Sequence, residues 1–282
     1  MVHNIPIRER TLEDLFPDVD SFPLCVNIEK GTEVWVASGM LVEYLESFTD
    51  AVVVRENYKP IGLVGGYDLL DNLRKNPTND FFHQNKVEDI MMKDLPIVTT
   101  KTPLGTMIRD WKESGRAFAV IPNSLNDFSC ISAKFLIKVG TFCKTDLFIS
   151  QIPKKKLVTF RLSDTIGDII RSMFENKTRR LVLENTNQFI SDRIILGYIS
   201  DKLNFLKDVN NLMDIPVNLL ELEQVRTVDE DVSLDQLCGI MSKMQYPYMI
   251  YRDKVFSPWD VCEALMSNEI TEYEIPKNES DN

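Results

Sequence analysis

The sequence predicts a mixed α+β fold in which one β-α-β-β-α unit occurs four times. Apolar segments of strand length begin at Ala51, Ala117, Arg180 and Pro247, at nearly equal intervals along the 282 residues. Each segment is preceded by a stretch with helical periodicity and followed by a second apolar strand and another helix-forming stretch. A period this regular indicates that one architectural unit is used repeatedly.

The first helix of each repeat is predicted from its capping residue and its apolar spacing. In repeat two, Thr102 precedes Pro103, which is favoured in a first turn, and Gly115 marks the expected end of the helix. The apolar residues between them recur at helical spacing. In the other repeats the helix is expected to begin at Thr32 in repeat one, at Ser163 or Asp164 in repeat three, and near Val232 in repeat four.

The strand-to-helix junction that precedes each second helix follows a common frame. Its aligned positions are Gly62, Gly65 and Asp68 in repeat one; Ser129, Ser132 and Phe135 in repeat two; Gly197, Ser200 and Leu203 in repeat three; and Lys254, Ser257 and Asp260 in repeat four. A serine followed three residues later by an aspartate can cap the second helix. The same junction exposes backbone N–H groups that can hold a polar ligand. Both roles remain open.

The domain organisation follows from the size of the repeats. A single repeat of this length buries too little surface to be stable alone, so we expect the repeats to pack in pairs. The predicted first module covers 1–140 and contains repeats at about 12–75 and 87–140. The predicted second module covers 141–282 and contains repeats at about 145–208 and 211–268.

Composition and charge exclude several classes of function. A formal net charge of −11 argues against a nucleic-acid binder, which needs a basic face. The chain has only two histidines, so a histidine-based metal site or a Ser/Cys-His catalytic arrangement cannot be assembled convincingly. We therefore expect no catalytic residue, no metal and no required cofactor.

The expected location is the cytoplasm. The longest apolar runs have the length of strands, so no membrane span is predicted. The N-terminal sequence lacks the apolar core of a signal peptide. Five cysteines without a C-x-x-C pair are typical of reduced, mostly buried thiols in a cytosolic protein.

At the junctions described above, the chain resembles the cystathionine-beta-synthase (CBS) domain family, from about Leu12 to about Leu265. The lead-in VEDIM, the GYIS segment of repeat three and the SPWD junction of repeat four are the best matches. In that family two repeats associate through their sheets into one Bateman-type module, and two modules form a disc whose clefts bind adenosine-containing ligands. The resemblance implies the same arrangement here, with four tandem CBS repeats in two modules.

The resemblance also implies which residues contact a ligand. In the family the junction aspartate binds the ribose hydroxyls, the serine or threonine lies near the phosphate, and the strand before the first helix borders the base. Carried over to repeat four, Asp260 would bind ribose, Ser257 would lie near the phosphate, and Thr227 and Val228 would border the base. The chemistry agrees with this role, because an ionised carboxylate can accept both hydrogen bonds of a cis-diol.

The other repeats depart from the family pattern. Repeat one keeps Asp68 but has Gly65 at the hydroxyl position, where backbone N–H groups of Gly65 and Gly66 would substitute. Repeats two and three carry apolar residues at the ribose position. Their clefts are expected to be weak or empty for nucleosides, although Ser200 persists at the hydroxyl position of repeat three.

Two arginines at the entrance to the second strand of repeat three are candidate phosphate ligands. Alternation along a strand sends the side chains of Arg179 and Arg180 to opposite faces, so only one is expected to reach a ligand. The pseudo-twofold pairing of the resembled fold would bring this entrance toward the cleft bordered by Ser257 and Asp260. The planar guanidinium suits phosphate. The alternative is that both arginines are strand-edge or interface residues.

These observations support two hypotheses of function. The favoured one is a regulatory sensor that binds AMP, ADP, ATP, S-adenosylmethionine or a related adenosyl ligand and signals to an unidentified protein. The alternative is an interaction scaffold of the same fold whose clefts hold no metabolite. An enzyme is not expected, because the repeats occupy nearly the whole chain. The sequence leaves open whether the protein forms a homodimer.

Overall fold

The computed structural model describes residues 5–17, 22–43, 50–123, 127–153 and 156–274. The α-helices of these residues range from one to about three turns. They are α1 (Leu12–Leu15), α2 (Val34–Glu43), α3 (Gly66–Leu73), α4 (Asp80–Gln84), α5 (Val87–Ile90), α6 (Leu104–Ser114), α7 (Ala133–Thr141), α8 (Ile166–Glu175), α9 (Asp192–Lys202), α10 (Leu234–Met241) and α11 (Pro258–Ala264). None of the helices in the described ranges is long and apolar enough to cross a membrane.

The strands form small sheets of two to four members. They are β1 (Asn27–Glu29), β2 (Ala51–Glu56), β3 (Lys59–Gly65), β4 (Phe118–Pro122), β5 (Phe128–Ser132), β6 (Cys143–Lys144), β7 (Thr159–Phe160), β8 (Arg180–Leu183), β9 (Gln188–Ser191), β10 (Glu223–Gln224), β11 (Arg226–Thr227), β12 (Met249–Tyr251), β13 (Lys254–Phe256) and β14 (Glu272–Tyr273). The sheet orders are β1-β2-β3, β10-β9-β8-β7, β11-β12-β13, β4-β5 and β14-β6.

The predicted α+β fold class and its repeated unit are confirmed. Repeat one runs β1-α2-β2-β3-α3, repeat three runs β7-α8-β8-β9-α9, and repeat four runs β11-α10-β12-β13-α11. Repeat two runs α6-β4-β5-α7, and a parallel bridge between Ile97 and Val120 stands where the others have a first strand. In repeats one and three the first strand pairs parallel with the second, which pairs antiparallel with the third.

The chain divides into two compact units, each made of alternate repeats. The even-repeat unit combines Met1–Leu24, Pro96–Lys155 and Thr227–Asn282, and so contains repeats two and four. The odd-repeat unit combines Cys25–Leu95 and Lys156–Arg226, and so contains repeats one and three. These units differ from the consecutive modules 1–140 and 141–282 that the sequence predicted. The predicted modules rest on pairing through sheets, whereas helix packing holds each unit together, so the modules stay a prediction.

Helices from both repeats form the core of each unit. In the odd-repeat unit, α9 packs against α2 and α3, and buried side chains such as Leu41, Leu70 and Ile195 belong to one apolar cluster. In the even-repeat unit, α7 packs against α10 and α11. Burying these apolar faces is the main favourable contribution to the stability of both units.

The junction predicted for repeat three is wrong. The segment that contains Gly197, Ser200 and Leu203 lies in and directly after α9, whereas the strand-to-helix junction is at Ser191, between β9 and α9. The error arose because ILGYIS has the apolar composition of a strand. Its buried residues instead recur at helical spacing, with Ile195, Leu196 and Ile199 facing the core.

Three predicted helix starts are shifted by one or two residues. In repeat one α2 begins at Val34, so the N-cap position is Glu33 and not Thr32. In repeat three the N-cap is Thr165 and not Ser163 or Asp164, because the Thr165 side chain and Asp168 form a reciprocal capping box. In repeat two the N-cap position is Pro103. The predicted helix end at Gly115 is confirmed, and its φ of 69° is the left-handed conformation that glycine adopts at little cost.

All five cysteines are buried free thiols, as the sequence predicted. Cys143 lies on β6, Cys238 on α10 and Cys262 on α11. Burial raises the pKa of the Cys143 thiol to about 12, with a smaller contribution from Asp235. Burial also raises the pKa of the Cys238 thiol, so both thiols are protonated, inert packing groups at neutral pH.

We predict that Gly140→Ala destabilises the even-repeat unit, whereas Gly239→Ala does not. A Cβ at Gly140 of α7 would lie 2.3 Å from Cys238 Sγ, so the packed α7–α10 contact would have to open. Overpacking of this kind costs about 1–3 kcal/mol in the free energy of unfolding. A Cβ at Gly239 of α10 meets nothing within 4 Å, and alanine there should add roughly 0.5–1 kcal/mol of helix stability.

Urea unfolding of both variants measures these changes. Equal free energies of unfolding for the two variants would contradict the packing of α7 on α10.

Candidate functional site

The repeat-four junction lies where β13 runs into α11. Ser257 is the N-cap residue of α11, and Pro258 is the first helical residue, where its missing N–H leaves no hydrogen bond unmade. The Ser257 N–H and Oγ–H both donate to Asp260 Oδ2, at 2.8 and 2.6 Å. Asp260 is only 3% exposed. The carboxylate is therefore held in one place, and the capping role that the sequence left open is present.

Thr227 and Val228 belong to the same small sheet as this junction. Thr227 is exposed at the end of β11, and the Val228 N–H donates to the Ile250 carbonyl oxygen on β12 at 2.8 Å. Strand β12 pairs antiparallel with β13, which leads directly into Ser257. The structure thus assembles the four residues predicted for repeat four on one sheet and the helix that follows it.

The equivalent position in repeat two is filled by an aromatic side chain. Phe135 is 1% exposed, and its ring centroid lies 5.0 Å from that of Phe16 and 5.5 Å from that of Phe22. Ser132 caps α7 by accepting the Phe135 N–H at 3.3 Å. The phenyl ring of Phe135 itself offers a ribose hydroxyl no carboxylate acceptor.

In repeat three the junction at Ser191 also places an apolar residue at the ribose position. Ser191 caps α9 by accepting the Ile194 N–H at 3.3 Å, so Ile194 and not Leu203 stands at the ribose position. Ser200 lies instead on the buried side of α9, where its Oγ is 2.8 Å from the Oγ of Ser38 on α2. Ser200 therefore joins two helices of the odd-repeat unit.

Repeat one closes its junction without a hydroxyl. The Gly65 N–H donates to Asp68 Oδ2 at 2.8 Å, and Asp68 is 8% exposed. Helix α3 begins at the next residue, Gly66. The aspartate therefore caps α3 as Asp260 caps α11, but no side chain at Gly65 or Gly66 shares the cap.

The space above Gly66 is occupied by a charged pair from repeat three. A Cβ at Gly66 would lie 2.2 Å from Asp192 Oδ2 and 3.4 Å from Arg179 Nη2. Asp192 accepts from Arg179 Nε at 2.7 Å, and its Oδ2 is 2.5 Å from Arg179 Nη2. Only glycine leaves room for the carboxylate here, and the ligand contact expected of the Gly66 N–H stays a prediction.

Two further charges complete what we call the odd-repeat ion cluster, formed by Asp50, Arg179, Asp192 and Arg193. Asp50 Oδ1 lies 3.8 Å from both Arg179 Nη1 and Arg193 Nη2. Arg193 is buried and donates through Nη1 to the Leu41 carbonyl oxygen in α2. Asp68 and Arg180 also act on these charges, so three negative and three positive side chains meet at this place.

The electrostatics keep this cluster ionised. Burial acts to raise the pKa of Asp192, but the Arg179 and Arg193 guanidinium groups outweigh it and hold that pKa below its usual value. The Asp192 carboxylate is thus negatively charged at neutral pH although its side chain is 5% exposed.

The sequence-predicted residues fall into two groups. Ser257, Asp260, Thr227 and Val228 lie together in the even-repeat unit. The others lie in the odd-repeat unit: Arg179, Arg180, Gly65, Gly66, Asp68 and Ser200.

Within the odd-repeat unit, the two arginines differ. Arg179 is bound by Asp192, whereas Arg180 begins β8 opposite Ser191 and is half-buried. The reach of Arg180 toward Ser257 stays a prediction.

Sequence reasoning missed Asp50, Asp192 and Arg193. The signal was present in the serine that precedes Asp192, because a strand ending in serine before a helix is the frame shared by repeats two and four. Placing the junction of repeat three at Ser200 hid Asp192 in a loop. Asp50 directly precedes β2 as Arg179 precedes β8, and only the packing of repeat one on repeat three shows that these positions meet.

We predict that Gly66→Ala lowers the free energy of unfolding by about 1–3 kcal/mol, because its methyl group would displace Asp192 from Arg179. Asp192→Ala should also destabilise, and the double variant should lose at least 0.5 kcal/mol less than the two single losses combined, as expected for residues in contact, which couple by about 0.5–3 kcal/mol. Gly39→Ala is the control, since a Cβ there meets nothing within 4 Å. Urea titrations provide the values, and strictly additive losses would contradict the contact.

Comparisons with known proteins agree with this architecture. Residues 149–202 match the model of the family described as CBS domain, and the match ends with the last residue of α9. A protein of Thermofilum pendens, described as an uncharacterized 33.4 kDa protein in a ribosomal RNA operon, is 24% identical over 201 residues, which are 64% of this chain and 67% of that protein.

Two crystal structures of archaeal proteins share the fold. One is a protein of Methanocaldococcus jannaschii proposed to be an archaeal homolog of g-AMPK, with a TM-score of 0.69 and 14% identity over 85% of this chain and 95% of the other. The second is an uncharacterized conserved protein of Pyrococcus horikoshii, with a TM-score of 0.50 and 11% identity over 77% of this chain and 91% of the other. The resemblance to CBS-domain proteins is therefore confirmed, and residues 149–202 are the part that matches the CBS domain model.

Proposed function

We propose that this protein is a regulatory sensor that binds an adenosine-containing ligand at the repeat-four junction. The observation that carries the proposal is the pairing of Ser257 with the buried carboxylate of Asp260 at the start of α11. In a CBS repeat this is the position at which the family binds ribose. Among the four corrected junctions, it alone has both the hydroxyl and the aspartate.

The chemistry of the four residues fits the parts of such a ligand. The Asp260 carboxylate has two oxygens that can accept hydrogen bonds, and both capping bonds from Ser257 go to Oδ2. Ribose hydroxyls would donate to the same carboxylate. Thr227 is exposed at the edge of the sheet, where it and Val228 would border the base.

Repeat one supplies the second candidate position. Asp68 caps α3 with the same Oδ2 geometry, but no hydroxyl stands beside it. The apolar residues Phe135 and Ile194 support the view that repeats two and three bind no ribose. One aspartate in each compact unit would then be available to a nucleoside.

The match to the CBS domain family supports the resemblance from which these roles are carried over. The shared fold with a protein proposed to be an archaeal homolog of g-AMPK also favours a regulatory role. In this proposal the chain has no catalytic role and requires no cofactor. It acts in the cytoplasm on an unidentified partner protein, and self-association into a homodimer is one form its assembly can take.

A scaffold that binds no metabolite is the second candidate. The observation that favours it is the use of both junction aspartates as helix caps, each with an N–H donor at 2.8 Å. Capping alone is sufficient reason for these residues. The two functions differ in whether any adenosyl ligand binds the wild-type chain.

We predict that Asp260→Asn weakens adenosyl-ligand binding by about 10- to 150-fold, because a charged acceptor contributes roughly 1.5–3 kcal/mol. Asparagine retains an oxygen that can accept the Ser257 N–H, so the helix cap is largely kept. Titration calorimetry with AMP, ADP, ATP and S-adenosylmethionine measures the affinities.

Asp168→Asn is the matched control for this experiment. Asp168 forms the same capping box with Thr165, at 3.0 Å from the N–H and 2.8 Å from Oγ1, but it lies at the start of α8 and away from any junction. Its substitution should leave ligand affinity unchanged. Equal losses in both variants would show that capping and not ribose contact is responsible. A wild-type chain that binds none of the four ligands would favour the scaffold.

A further inference from the structure

The N-terminus of α3 in the odd-repeat unit has the parts of an anion site. A helix of eight residues begins there at a glycine, and its first N–H groups carry the positive end of the helix dipole. A guanidinium group lies beside it, with Arg179 Nη2 3.4 Å from the position of a Cβ on Gly66. Arginine with a helix N-terminus is a combination that suits a phosphoryl group.

An internal carboxylate already stands at this place. Asp192 Oδ2 accepts from Arg179 Nε at 2.7 Å and would lie 2.2 Å from a Cβ on Gly66. The carboxylate is anchored from its own side as well, because the Arg193 N–H donates to Asp192 Oδ1 at 3.0 Å. Both oxygens of Asp192 therefore accept hydrogen bonds: Oδ2 from the Arg179 side chain and Oδ1 from the Arg193 N–H.

Arg179 is partly exposed, so a dissolved anion can reach its guanidinium group from solution. Its side chain is 42% exposed, whereas that of Asp192 is 5% exposed. Without the Asp192 carboxylate, Asp50 would stay 3.8 Å from Arg179 and from Arg193. Asp68 at the start of α3 also acts on Arg179, and Arg180 acts on Arg193. Three arginines would then stand against two aspartates, and the net positive charge would face a space that a dissolved anion can enter along the exposed side of Arg179.

We propose that Asp192 is a built-in anion that satisfies Arg179 above Gly66 and thereby excludes phosphate-bearing ligands from the odd-repeat unit. Asp192 is in this sense a specificity-determining residue. The inference is independent of the function proposed for repeat four, because it concerns phosphoryl oxyanions of any source and a different compact unit. It replaces the expectation that backbone N–H groups of Gly65 and Gly66 receive a ligand phosphate.

Asp192→Ala should convert this place into a phosphate site. The variant removes the charge and opens the space, whereas Asp192→Asn removes the charge but fills the space with an amide. Thermal unfolding is recorded with inorganic phosphate and with sodium chloride at equal ionic strength. With phosphate at about ten times its dissociation constant, Asp192→Ala should gain about 2–4 °C more than the wild type. Asp192→Asn should gain no more than the wild type.

Two further variants assign the gain to the proposed atoms. Adding Arg179→Met to Asp192→Ala should abolish the phosphate-specific gain. Asp168→Ala is the control for a lost capping carboxylate paired with arginine, since Asp168 Oδ1 lies 3.1 Å from Arg171 Nη2 on an exposed surface. It should show no phosphate-specific gain.

Three outcomes would overturn the proposal. The first is an Asp192→Ala variant that gains no more from phosphate than the wild type. The second is a gain that survives Arg179→Met. The third is a wild-type chain that phosphate stabilises in a way that Arg179→Met removes, since Arg179 would then be available despite Asp192. If Asp192→Ala does not fold in chloride, recovery of the folded state by phosphate becomes the readout, and absence of recovery also counts against the proposal.

Discussion

The structure depends on the burial of one helical face of each repeat against another repeat. A repeat of about 60 residues cannot cover its own helices, because the fraction of its surface that a chain buries rises with its length and is low for so short a segment. In the odd-repeat unit α9 meets α2 and α3, and in the even-repeat unit α7 meets α10 and α11. The same helices begin at the strand-to-helix junctions. Packing therefore determines which junction residues are buried, and with them which charges must find partners.

The junctions show how one backbone feature serves different purposes. Every second helix needs acceptors for its first N–H groups. Ser132 and Ser191 each accept an N–H through a hydroxyl, and Asp68 accepts one through a carboxylate. At repeat four the Asp260 carboxylate accepts both the N–H and the hydroxyl of Ser257. The function proposed for this junction adds a ligand contact to the same carboxylate. Structural and binding roles are therefore compatible at repeat four.

In the odd-repeat ion cluster, equivalent positions of the two repeats carry different charges. Asp50 precedes the second strand of repeat one and Arg179 that of repeat three, and the helix starts carry Gly66 and Asp192. Asp50 meets the arginines of repeat three across the unit, Asp192 pairs with Arg179 of its own repeat, and the glycine makes room for that carboxylate. Because Asp192 is buried, losing its partner would leave an uncompensated charge, which makes such a set hard to change one residue at a time.

Much of the architecture could be predicted because it depends on residues that are close together in the sequence. The period of the apolar strands, Gly115 at a helix end and the serine and aspartate of repeat four are all readable within a few residues. The register of repeat three could not be read in this way. ILGYIS is apolar enough for a strand, and only the burial of Ile195, Leu196 and Ile199 on one helical face identifies α9.

The sequence by itself therefore determined the repeated fold, the family resemblance and the junction of repeat four, since capping and periodicity act between residues close in the chain. Tertiary structure decided that alternate repeats share a compact unit, that Ser200 meets Ser38, and that Arg179 is held by Asp192 above Gly66. These contacts lie between different elements of the fold. Apolar periodicity marks which face of a helix is buried, but neither it nor the charge of a side chain tells which element is the partner.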